Sequence, residues 1–336
     1  MMLHDFHESL GARFTTLGGT EAAADYGDPL AECSALREHA GMLDLGFRGR
    51  LCLTGNDRIR FLHGQVTNDI KRLSVGEGCY AALVTAKGRL ESDLNVYRLE
   101  DEILLDFEPG LTEPVTKRLE KYIVADDVQI VDVGALYGLL TVQGPAAAET
   151  VRDLGFTPEA PTLLFRFVKI CDPTLGELYV VNRPRLGTDG FDLFVPSDAL
   201  AAMAERLLRS TRSHNGTVCG WSAFELARIE AGVPRFGADM DETNFPQECG
   251  IEASAVSYTK GCYIGQEVLN RIHTMGHVNR ELVGLQISGD ATTLPAKGDK
   301  LFQQGKEVGF VTSAVHSPSF ANIALGQVRR EAGKAG

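Results

Sequence analysis

Eight consecutive residues, Lys260-Gly261-Cys262-Tyr263-Ile264-Gly265-Gln266-Glu267, constrain the chain more tightly than any other stretch. They set a cation, two glycines, a thiol, an amide and a carboxylate in an order that neither a helical nor a strand period requires. Gly261 and Gly265 admit backbone conformations and close approaches that a Cβ forbids. A turn is therefore expected, with a helix beginning after Gly265 and running through Gln266 and Glu267. A lysine near a thiol favours the thiolate, and the N–H groups of a helix start favour an anion on the sulfur. Lys260 and Cys262 thus read as a reactive pair, with Gly261, Tyr263, Gly265, Gln266 and Glu267 shaping the loop. A plain turn carrying an inert, buried thiol fits the same residues.

The remaining 328 positions of the 336-residue chain leave room for two or three domains. A formal net charge of −12 argues against a nucleic-acid or anionic-membrane surface. No apolar run reaches the length of a membrane span. The acidic start, from Met1 to Glu8, lacks the charged and apolar regions of a secretory signal and resembles no transit peptide. Seven cysteines, odd in number, scattered and without a C-x-x-C pair, fit free thiols in a reducing, cytoplasmic setting.

Along the chain, the first thirty residues are Gly/Ala/Thr-rich and expected on the surface. Helical spacing covers residues 36–45, ending at Gly46, and residues 50–54 alternate as a strand does. A short capped helix follows, with Ile59 and Leu62 inward and Gly64 as its stop. Strands are expected over 79–85, 93–99, 102–107, 128–133 and 137–142, and a turn followed by a strand over 187–196. Helices are expected over 111–122, from Pro145 to Leu154, over 199–208 behind a Ser197 cap, and over 221–231 before Gly232 and Pro234. An acidic linker occupies 238–257. His273 and His277 are four apart, but Gly276 lies between them and no H-E-x-x-H carboxylate is present, so no metal is assigned. Short strands over 282–287, 300–303, 307–315 and 323–328, separated by Gly- and Pro-bearing turns, read as a small antiparallel barrel.

The K-G-C-Y-I-G-Q-E run resembles the signature of the YgfZ-type folate-binding proteins. These are relatives of the glycine-cleavage T-protein, an aminomethyltransferase, and are tied to maintenance of iron–sulfur enzymes. Other segments resemble the wider T-protein superfamily. One is the G-x-D-R-x-x-F-L…T-N-D run from Gly55 to Asp69. Ser92-Asp93 stands where that superfamily carries an acidic pair beside the folate, so one carboxylate remains. Asp192 ends a segment whose last carboxylate bonds the pterin ring, and Arg228 and Glu230 fall in one that borders the folate pocket.

The resemblance spans about residues 40 to 330 and implies an α+β fold, three parts arranged as a clover leaf, with a C-terminal antiparallel β-barrel. It divides the chain into a folate-binding region of two intertwined subdomains (1–237), a linker with the thiol motif (238–280) and the barrel (281–330). It implies that tetrahydrofolate or a one-carbon derivative is bound among Asp93, Asp192, Arg228 and Glu230, with Arg271 and Arg280 offering positive potential to a glutamate tail. The function it implies first is support for assembly or repair of iron–sulfur clusters in client enzymes, through the Cys262 thiol. The alternative is a folate-dependent aminomethyltransferase or demethylase, in which a carboxylate positions the reacting nitrogen. The reduced acidic pair and the added thiol motif weigh toward the first.

Overall fold

A computed structural model describes residues 2–288 and 293–333. Two sheets are interleaved in sequence. The strand Gly41–Asp44 enters a six-stranded sheet of spatial order Phe167–Asp172, Gly176–Asn182, Gly190–Pro196, Tyr137–Gln143, Gly41–Asp44, Thr217–Val218. The chain then builds a whole five-stranded sheet, of order Glu77–Val84, Leu90–Arg98, Ile103–Phe107, Gly49–Thr54, Gln129–Asp132. Only then does Tyr137–Gln143 return to pair antiparallel with Gly41–Asp44. A four-stranded antiparallel sheet, in the order Arg280–Gln286, Ala321–Arg329, Lys306–Ser317, Lys300–Gln303, forms the C-terminal part. Register shifts at Leu301/Phe302 and Val311/Ser313 bend it, as bulges do. The architecture is the expected α+β one.

Packing follows from helical spacing. Leu200–Ser213 buries Leu200, Met203, Ala204, Leu207 and Leu208 against the six-stranded sheet. Pro29–Glu38 and Trp221–Glu230 fill the space between the two larger sheets with Leu36, Ala223, Leu226 and Ala227. Arg58–Gln65 and Thr112–Glu120 close the five-stranded sheet with Phe61, Leu62, Val115 and Leu119. Each buried leucine contributes roughly 2 kcal/mol of transfer free energy.

Four expectations are corrected. The helix near residue 36 is Pro29–Glu38, started by Asp28, whose carboxylate accepts from Leu30 N and Ala31 N, while Gly41–Asp44 is a strand. Pairing with Tyr137–Gln143 overrides the helical spacing, and Gly41 is needed because a Cβ would lie 2.4 Å from Leu36 Cδ2. The first thirty residues are not a surface tract: His4–Ser9 is a helix, Arg13–Leu17 and Thr20–Asp25 pair as a hairpin, and Leu3, His7 and Ala22 are buried. Ser197 does not cap Leu200–Ser213, which follows Ala199 without a side-chain cap. The 238–257 stretch is packed, with short helical turns at Pro246–Cys249 and Glu252–Ala255 and with Asp239, Met240, Cys249 and Ile251 buried.

Candidate active site

A cavity of about 380 Å³ opens where the two larger sheets meet the Trp221–Glu230 helix. Tyr80, Asp93 and Asn95 reach it from neighbouring strands of the five-stranded sheet, and Glu108 from just beyond Ile103–Phe107. Arg183, Pro184 and Arg185 enter from the turn before Gly190–Pro196, and Phe224, Arg228 and Arg235 from the helix and the chain after it. Asp93 and Asn95 share a wall because alternate residues of a strand point the same way, whereas Ser92 is buried on the other face.

Asp93 is the chemically unusual group. Its Oδ2 accepts the Tyr80 hydroxyl at 2.8 Å, while its buried Oδ1 has no partner among the described residues. Burial, reinforced by the negative charge of Glu108, pushes its carboxyl up to about 6. Such a group retains a proton-accepting oxygen at neutral pH for whatever N–H enters the cavity. The opposite holds for Asp106 behind it. There Arg48 at 2.6 Å and Arg185 at 2.8 Å outweigh the effect of burial and hold the carboxyl well below the usual range.

The expected site residues separate. Asp93 and Arg228 line the cavity. Asp192 does not; it lies behind the wall, where its carboxylate takes the Arg185 guanidinium at 2.6–3.1 Å. Glu230 faces away, accepting from Ser317 Oγ at 2.5 Å on the C-terminal sheet. Residues two apart on a helix do not share a face, so Arg228 and Glu230 are not both directed at one cavity. Arg280 lines a separate groove of about 960 Å³ that has no lining residue in common with this cavity. Tyr80, Asn95, Glu108, Arg183 and Arg185 were not anticipated. The signal for Asn95 was its two-residue spacing from Asp93 within strand-like sequence.

The 260–267 motif lies outside the cavity lining. Its helix does start after Gly265, as Gln266–Met275, and Gly265 has φ +86° with Thr85 O only 2.6 Å from where a Cβ would sit. Gly261 needs no such allowance; the nearest atom to its Cβ position is His63 Nε2, at 3.6 Å. Lys260 is buried and its amine donates to the carbonyls of His63, Val66 and Asn68 at 2.5, 2.7 and 2.8 Å. Burial pushes that ammonium down to about 7. Cys262 is exposed, not buried as an inert core thiol is. Tyr263 is buried with the Lys260 amine 4.8 Å over its ring, Gln266 donates to Lys260 O at 3.4 Å, and Glu267 is exposed. His273 stacks on Tyr258 and contacts Glu252 at 2.9 Å, whereas His277 lies beyond the end of the helix at Met275.

The GCVT N-terminal domain model matches residues 3–260, and that of the glycine cleavage T-protein C-terminal barrel domain matches residues 280–336. The chain belongs to the T-protein family. An aminomethyltransferase of Halalkalibacterium halodurans is 28% identical over 98% of this chain and 89% of its own. One from Bacillus subtilis is 27% identical over 99% and 92%. The crystal structure of the glycine cleavage system aminomethyltransferase T from Bartonella henselae superposes with a TM-score of 0.87 at 25% identity, over 98% of this chain and 89% of that one. These near-full-length matches to T-protein relatives named aminomethyltransferases overturn the expectation of an iron–sulfur assembly or repair factor with iron–sulfur clients. The 260–267 motif outweighed the rest of the chain in that reading, though it covers a small part of it. No helix among the described residues is long and apolar enough to cross a membrane.

Proposed function

We propose that the chain is a folate-dependent aminomethyltransferase, converting an aminomethyl carrier and tetrahydrofolate into methylene-tetrahydrofolate, ammonia and the freed carrier in the central cavity. The observation that carries this is the orphaned Oδ1 of Asp93 at the cavity wall, with Tyr80 holding the other oxygen. An acceptor that is buried without a partner is costly unless a ligand donor completes it. A reduced folate carries N–H groups on the nitrogens that receive the one-carbon unit, which suits this wall. Asp93 then positions that nitrogen and takes or returns its proton, Tyr80 fixes the carboxylate's orientation, and Phe165, Phe224 and Leu164 supply apolar surface for a ring system.

Within the family, the likeness of the K-G-C-Y-I-G-Q-E run to the YgfZ-type signature supports a reading nearer that branch. We assign the run a structural role, in which Lys260 fastens the 63–68 segment through three carbonyls. Seven free cysteines are compatible with a reducing, cytoplasmic setting. The deciding experiment measures methylene-tetrahydrofolate, and the ammonia released with it, formed from an aminomethyl-loaded carrier protein. Wild type and Cys262→Ser should both turn over, and Asp93→Asn should lose at least a hundredfold. Failure of wild type with every such donor, although tetrahydrofolate binds, removes the transferase reading.

A further inference from the structure

Arginines and carboxylates of the cavity are matched with one exception on each side. Arg48 is held by Asp106 and Glu108, and Arg185 by Asp106 and Asp192. Arg228 is held by Glu225 and Asp239, and Arg235 by Glu225 and Glu108. Arg183 lines the same cavity, half-buried, and among the described residues no carboxylate lies within 4 Å of it. Its Nε donates to Asn95 Oδ1 at 3.1 Å, its Nη1 to Pro184 O at 3.0 Å, and its guanidinium lies 4.8 Å over the Phe165 ring. Those contacts fix the plane of the fork without neutralising it. The unmatched carboxylate is Asp93, through its unpartnered Oδ1.

We propose that Arg183 is the receptor for a carboxylate of the bound ligand, so that the cavity takes a molecule with an N–H at Asp93 and an anionic oxygen at Arg183. Asn95, which orients Arg183, is two residues from Asp93 on one strand face, so their Cα atoms are about 7 Å apart. A guanidinium in partly dry surroundings binds a carboxylate by paired, charge-assisted hydrogen bonds, and the ring of Phe165 keeps the fork from swinging away. The proposal deepens the folate reading, since the glutamate end of tetrahydrofolate carries carboxylates. An amino-acid one-carbon donor, with its own amine and carboxylate, presents the same chemistry.

The test is anaerobic binding calorimetry on the full chain with three probes: tetrahydrofolate, 6-methyltetrahydropterin, which has no carboxylate, and N-methylglycine. Wild type, Arg183→Gln and Arg183→Lys are compared after circular dichroism has shown each to be folded. The Gln variant retains an amide N–H for Asn95, and the Lys variant retains the charge. The expected result is that Arg183→Gln weakens a carboxylate-bearing probe tenfold or more, leaves 6-methyltetrahydropterin within twofold, and that Arg183→Lys restores part of the loss. Loss confined to tetrahydrofolate assigns the folate tail, and loss confined to N-methylglycine assigns the donor. Binding of N-methylglycine that depends on Arg183, in a chain that binds neither pterin probe, retains this proposal and ends the folate reading. Equal weakening of all three probes, no weakening of any, or a wild type that binds no carboxylate-bearing probe, overturns it.

Discussion

Asp93 sits where its own charge is unwelcome, and that has consequences for both stability and rate. Its carboxyl, at about 6 in the folded chain, stands above the ordinary aspartate value near 3.9, because burial and then Glu108 disfavour ionisation. The folded state therefore holds this proton more tightly than the unfolded one. The resulting stability is fully present below about pH 4 and is lost as pH rises through about 6. Asp93→Asn can still accept from Tyr80 and avoids the loss, so it should be more stable than wild type at pH 8, by about 1–3 kcal/mol, and no more stable at pH 4. Urea melts at the two pH values check this. The rate should rise with pH through about 6 in wild type, and the variant's residual rate should lack that limb. Lys260 is the contrasting residue. Lys260→Met strips the donor from the carbonyls of His63, Val66 and Asn68, and should destabilise by about 3 kcal/mol without a selective loss of folate affinity. Loss of binding in a variant that melts like wild type would make Lys260 part of the site.

At the scale of elements, the two glycines of the motif do different work, and substitution separates them. Gly265 combines a positive φ with a Cβ position 2.6 Å from Thr85 O, so Gly265→Ala must strain the backbone and push the 85–88 turn away. A loss of about 2–3 kcal/mol is expected by denaturant titration. Gly261→Ala meets no atom closer than 3.6 Å and should remain within about 0.5 kcal/mol of wild type, an outcome that matching losses would contradict. The start of Gln266–Met275 was legible in the sequence because a glycine followed by a helical pattern is a local signal. The strands Arg280–Gln286 and Ala321–Arg329 were legible for the same kind of reason, alternation between turns. Gly41–Asp44 was not, because its partner Tyr137–Gln143 is a whole sheet away in sequence. The site divides the same way. Asp93 was reachable through a motif, but Arg235 meets Glu108 across 127 residues and Arg183 meets Asn95 across 88, pairings that no local period encodes. Glu230 was misplaced because sequence adjacency to Arg228 says nothing about which face of a helix each occupies.

For the whole molecule, a group of polar contacts ties the C-terminal sheet to the rest. Its buried Val311, Ala324, Leu325 and Val328 lie outside the four main apolar clusters, which its Val315 touches only from the side. Asp239 is the centre of the joint. It accepts from the Arg228 guanidinium, from Arg235 N at 3.2 Å, and from Thr312 Oγ1 and Ser313 Oγ at 2.7 and 2.6 Å. Glu230, through Ser317, forms a second tie one helical step away. Asp239→Ala leaves a buried guanidinium with one carboxylate fewer and two strand hydroxyls without their acceptor, a loss of about 3–5 kcal/mol. Because the apolar clusters of the two larger sheets do not depend on that joint, the loss should fall on the C-terminal sheet first. Calorimetry of Asp239→Ala should then show a separate early transition, and limited proteolysis should release residues beyond about 275 while the remainder survives. Asp239→Asn retains an acceptor for the hydroxyls and should fall between the alanine form and wild type. The cavity draws Arg228 from this joint, so the early transition should also weaken ligand binding, although no described residue of the C-terminal sheet lines the cavity. A single cooperative transition at lowered temperature would mean instead that the sheet and the larger lobes fold as one unit, and that Asp239 secures the whole.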